Sequence, residues 1–173
     1  MPTEVTKRRK GKKEPIHKKR IITHQLKWVN NITHEDIMLT GQLIFFGEDV
    51  EEVEEENLKK NIMLRELRRK IEGYRHQDIL KNIFDFSTFV DLDHVLLLLR
   101  DCNEKCFYCK ESVKILYDVA RDPKQWTLER IFNDRGHNKG NVEIACLSCN
   151  IKRRTMYFEK FRFTKQVKFV KEL

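Results

Sequence analysis

Two cysteine pairs constrain this chain more than any other feature. Cys106-Phe-Tyr-Cys109 and Cys146-Leu-Ser-Cys149 stand 36 residues apart. Each two-residue spacer lets one tight turn aim both sulfurs at a single point, and four thiolates are the soft tetrahedral set that Zn²⁺ prefers. The spacing therefore predicts a structural Zn²⁺ site on Cys106, Cys109, Cys146 and Cys149. The fifth cysteine, Cys102, is either an alternate ligand three residues before the first pair or a small buried core residue. Cysteines used this way belong to an intracellular, reducing compartment and not to a disulfide framework.

A chain of 173 residues with 40% apolar side chains has room for one modest core and appendages. Its longest apolar run, Val95 to Leu99, is five residues, far short of a bilayer span. No apolar segment follows the basic N-terminus, so no signal peptide is expected.

The formal charge of +8 is unevenly spread. Residues 1–20 carry nine Lys/Arg against two acids, residues 21–101 ten against sixteen, and residues 102–173 sixteen against nine. The ends are thus the surfaces for a polyanion, because Lys/Arg that neutralise phosphates release condensed counterions. The arm of residues 1–20, with Lys7, Arg8, Arg9 and Lys10 at its centre, has too few apolar residues to offset the entropy of ordering. It reads as a disordered nucleic-acid-binding or nuclear-localisation tail. The acidic run from Glu48 to Glu56 is either a solvated helix face, a surface for a protein partner, or a clamp for the arm.

The middle, residues 21–101, reads as helical. Thr33-His-Glu-Asp36 suits a helix start, and Gly41 to Gly47 is a strand or a buried linker. Leu64, Leu67, Ile71 and Tyr74 fall on one helical face. Gly73 is expected to interrupt that helix, with a second from Gln77 to Phe84 and a third capped by Asp91 over Leu92 to Arg100. These helices are expected to pack on the metal module, which is too small for a large core of its own.

From residue 102 onward the pattern changes. Trp126-Thr-Leu-Glu-Arg-Ile-Phe132 and Val142-Glu-Ile-Ala-Cys146 alternate as half-buried strands do, around a polar, glycine-bearing loop. A helix is predicted from Cys149 to Phe161, carrying Lys152, Arg153 and Arg154 toward phosphates. The fold class is α+β: a mostly helical N-terminal part followed by a zinc-bound module of hairpin and helix in residues 102–173.

Thr127-Leu-Glu-Arg-Ile131, Gly136-His137, Asn141-Val142 and Ala145-Cys-Leu-Ser-Cys-Asn150 are similar to a variant of the HNH, or ββα-metal, endonucleases frequent in phages and large DNA viruses. The resemblance covers roughly residues 102 to 157. It implies a nucleic-acid partner, DNA before RNA, and a viral-factory location beside the nuclear one that the basic arm suggests. It also implies Mg²⁺ or Mn²⁺ that stabilises the leaving oxygen, and a base that activates water. On the matching positions, Glu129 takes the place of the metal-binding Asp, Asn150 that of the helix ligand and Asn141 that of the loop-supporting Asn. Arg130 stands where the family has its base histidine, and arginine cannot accept a proton at neutral pH; it suits a phosphate clamp instead. His137 is either a substitute base or metal ligand, or a turn residue packed on the knuckle. Two functions follow: a metal-dependent endonuclease, or an inactive HNH-like module that binds DNA or acts as a scaffold.

Overall fold

The structure is a computed structural model that describes residues 54–167. The basic arm with Lys7 to Lys10, the helix start at Thr33, the stretch from Gly41 to Gly47 and most of the acidic run lie outside the described residues.

The first element, α1 (Glu54–Leu80), is one unbroken helix of 27 residues. Met63, Leu64, Leu67, Ile71 and Tyr74 are buried along one side, and this stripe holds the helix straight through Gly73. That glycine is exposed, and a Cβ there would meet nothing within 4 Å. The expected interruption therefore does not occur: a glycine costs an exposed helix about 1 kcal/mol, less than the burial of the side chains on either side contributes. The separate helix expected from Gln77 to Phe84 is instead the last turn of α1 and its cap. Asn82 adopts φ 55°, Ile83 N donates to Asp78 O at 3.0 Å and Asn82 N to Ile79 O at 3.0 Å, the pairing of a Schellman stop.

Helix α2 (Leu92–Asp101) begins where expected, with Asp91 accepting from His94 N at 2.8 Å. It buries Val95, Leu96 and Leu99. The chain then forms the cysteine knuckle and enters a two-stranded antiparallel hairpin, β1 (Trp126–Arg130) and β2 (Val142–Cys146), with Leu128 opposite Ile144. Strand β1 departs from the alternating pattern: Thr127 and Glu129, expected on a solvated face, are 4% and 3% exposed. Helix α3 (Leu147–Arg153) covers that face, with Asn150 over Thr127 and Arg153 over Glu129.

The single helix expected from Cys149 to Phe161 is two. Arg154 turns to φ 53° and ends α3, and α4 runs Phe158–Gln166. The break is held by Arg153 Nη1, which donates to Met156 O at 3.0 Å. Phe161 of α4 then packs edge-on against Tyr108 of the knuckle, 4.8 Å between centroids. Leu67, Tyr74, Leu99, Cys106, Trp126, Val142 and Phe161 all belong to one buried cluster, so the helices before residue 102 and the cysteine-bearing part share a core. No described helix is long and apolar enough to cross a membrane.

Candidate metal centre and adjoining cavity

The four paired cysteines come together. Their sulfurs all lie within 4.8 Å of one another, and Cys109 Sγ is 3.9 Å from Cys146 Sγ. Tetrahedral metal–sulfur bonds of about 2.3 Å place sulfurs about 3.8 Å apart, so the cluster is of a size to hold one metal ion. Local backbone makes it so. Lys110 turns at φ 61° after the first pair, its N–H donating to Cys106 O at 3.0 Å, and Phe107 N donates to Ile144 O at 2.7 Å, fastening the knuckle to β2. Cys146 ends β2 and caps α3, and Cys149 lies in the first turn of α3. A hydrogen bond with Cys146 draws the Cys106 thiol down, while burial pushes Cys149 up. Cys102 is outside this set; it is half-buried and its thiol faces Leu99 O at 3.4 Å, the core role and not the ligand role.

Glu129, Arg130, His137 and Asn150 all line one cavity of about 720 Å³ between α1, β1 and α3. Among the described residues, Lys70, Lys81, Arg130, Arg153 and Arg154 share its walls with one carboxylate, Glu129. Such a lining selects an anion.

His137 is 4% exposed and sits on the Tyr74 ring, 4.5 Å between centroids. Its partner is Asp78, fully buried on α1. Asp78 Oδ2 accepts from His137 N at 2.6 Å, and Oδ1 lies 2.8 Å from His137 Nδ1. Burial pushes His137 down to about 4, outweighing the opposing pull of the Asp78 charge. The imidazole is therefore neutral at pH 7. A carboxylate accepts and does not donate, so the ring proton sits on Nδ1 and the lone pair on Nε2. Among the described residues Nε2 has no hydrogen-bond partner. Gly136 permits this approach: a Cβ there would come within 2.6 Å of Ile83 O and 2.9 Å of Asp78 Oδ2. Asn141 braces the same loop, donating to Phe132 O at 3.1 Å and Gly136 O at 2.9 Å and accepting from Phe132 N at 2.9 Å.

The other expected site residues are engaged differently. Glu129 accepts from Tyr108 Oη at 3.2 Å and is ion-paired with Arg153. Burial raises its carboxyl above the ordinary range, opposed by that guanidinium. Arg130 donates through Nη1 to Asn133 O at 3.2 Å and Arg135 O at 3.1 Å, so it staples the loop it opens. Asn150 Nδ2 donates to Thr127 Oγ1 at 3.2 Å. Lys152 and Arg154 are exposed and able to meet phosphates, but Arg153, expected to do the same, is 4% exposed and committed to internal partners. The donor set for Mg²⁺ or Mn²⁺ is a poor fit, because the carboxylate it requires is already neutralised. Among the described residues the cysteines are the single group of three or more His, Cys, Asp or Glu side chains placed to share an ion.

Asp78 was missed from the sequence, although it carries a signal: an aspartate four residues after Tyr74 continues the buried stripe Leu64, Leu67, Ile71, Tyr74, where a carboxylate requires a partner. No family model matches this chain, and no match is found among curated proteins or solved structures.

Proposed function

We propose that this chain is a zinc-stabilised, HNH-like nucleic-acid-binding module whose cavity receives a phosphodiester and hydrolyses it with His137 as general base. The observation that supports this reading is His137 in the wall of a cation-lined cavity, its Nδ1 held by Asp78 and its Nε2 without a partner among the described residues. In the step, Nε2 takes a proton from water, the water oxygen bonds to phosphorus, and one P–O ester bond breaks, its oxygen taking a proton from solvent. The entering phosphate raises the basicity of His137 by its charge. Arg154 and Lys81 neutralise charge on the phosphoryl oxygens. Zn²⁺ on the four cysteines holds the hairpin and α3 in register. Lys152, the arm residues Lys7 to Lys10, and DNA as partner complete the proposal, with affinity falling steeply as salt rises.

A second reading, binding without cleavage, is favoured by one observation: the Glu129–Arg153 pair, which withholds the carboxylate from Mg²⁺ or Mn²⁺. Nicking of supercoiled and branched DNA by zinc-loaded protein separates the two. Cleavage by wild type that falls about 10²- to 10⁴-fold in His137→Ala supports the hydrolase. Tight, salt-sensitive binding with no cleavage supports the binder, and activity that appears on Arg130→His traces the loss to that position.

A further inference from the structure

Four oxygens surround one side chain at the end of β1. Glu129 Oε1 and Arg130 O come from the strand, Asn133 Oδ1 from the loop, and Met156 O from the turn between α3 and α4. One carboxylate, one amide and two carbonyls make the donor set of a hard divalent cation. At their centre lies a guanidinium. Arg153 donates through Nε to Glu129, through Nη2 to Arg130 O at 2.6 Å and Asn133 Oδ1 at 2.7 Å, and through Nη1 to Met156 O at 3.0 Å. The side chain is 4% exposed yet reaches the cavity wall, and its charge is permanent.

We propose that Arg153 is the resident cation of this cavity: it holds a cage of oxygens of the type a divalent ion takes, so that anion binding beside it does not depend on Mg²⁺ or Mn²⁺. A tethered cation is present at high effective concentration. An ion from solution would have to shed water and displace it, stranding a buried guanidinium with no carboxylate. With Glu129 neutralised, the one carboxylate that the described residues place in the cavity wall no longer repels an anion, and Arg130, Arg154 and Lys81 leave the wall positive. The phosphate-binding part of this inference rests on the function proposed above; the cage itself does not.

Titration of the zinc-loaded full chain with MnCl₂, followed by electron paramagnetic resonance, reads the cage directly. Wild type is expected to hold no Mn²⁺ below the millimolar range typical of weak sites. Arg153→Ala is expected to gain one site, lost again in Arg153→Ala/Glu129→Gln. Stoichiometric Mn²⁺ on wild type that disappears in Glu129→Gln overturns the proposal, and so does a folded Arg153→Ala that gains nothing. Should Arg153→Ala not fold, the wild-type titration decides. In a second arm, wild-type affinity for an oligonucleotide is compared with and without Mg²⁺ at matched ionic strength. Equal affinities are expected; a tenfold tightening by Mg²⁺, about 1.4 kcal/mol, contradicts the proposal. If no oligonucleotide binds under either condition, the phosphodiester reading fails while the Mn²⁺ arm still decides the resident cation.

Discussion

The two ends of one short hairpin are built for different cations. At the Trp126–Cys146 end the chain gathers four sulfurs that could hold a metal ion from solution. At the Arg130–Val142 end it supplies oxygens and the cation together, the latter as Arg153. Soft ligands without a counter-charge of their own must wait for a metal, and the fold around them is then linked to that metal. An arginine among carbonyls and a carboxylate is complete once the chain has folded. On this account the same module depends on a metal at one end and carries its own cation at the other.

The contrast is broken most severely by metal removal. A zinc-specific chelator, or Cys149→Ser, should abolish the cooperative thermal transition, since structural Zn²⁺ contributes on the order of 10 kcal/mol in small cysteine modules; an unchanged melting curve would show that the cysteine end stands by packing alone. The closed end should answer differently. Arg153→Met should lower urea stability by about 3–5 kcal/mol because Glu129 is left buried and unpaired, and Arg153→Met/Glu129→Leu should recover most of that loss. A double variant as weak as the single one would mean that the carbonyl and amide partners, not the ion pair, carry the stability.

Between these ends lies His137, whose titration sharpens the comparison. Its folded value of about 4 lies below its ordinary 6.5, so between those values the unfolded chain binds the extra proton. Stability is then fully present above about pH 6.5 and lost as pH falls toward 4. Denaturant midpoints across that window should slope upward with pH in wild type and flatten in His137→Phe, with zinc content checked at each pH. The smallest effect is local: Gly73→Ala should raise stability by about 0.5–1 kcal/mol, because the site is exposed and open.

The cysteine end was legible in the sequence because spacing alone brings each pair to one turn, and the Asp91 cap was legible because it bonds three residues ahead. The hairpin followed from its period of two. What lay beyond reach was long-range. Asp78 meets His137 across 59 positions, and no local pattern announces the pairing, though its place on an apolar stripe hints at a partner. Arg153 read as a phosphate contact because a run of three basic residues looks solvated. Its burial follows from the helix phase that turns it onto Glu129, and from the Arg154 break that brings Met156 O back to it. Gly73 misled for the opposite reason: local propensity was outweighed by the burial of Ile71 and Tyr74.

The chemistry proposed for the cavity depends on one lone pair. The most direct measurement is the ¹⁵N chemical shifts and ring couplings of His137 in zinc-loaded, isotopically labelled protein, taken from pH 5 to pH 8. A neutral ring protonated at Nδ1 throughout, with a bare Nε2 that shifts when an oligonucleotide is added, is the predicted result. A proton on Nε2, or an imidazolium at neutral pH, would leave the cavity without its base and contradict the account.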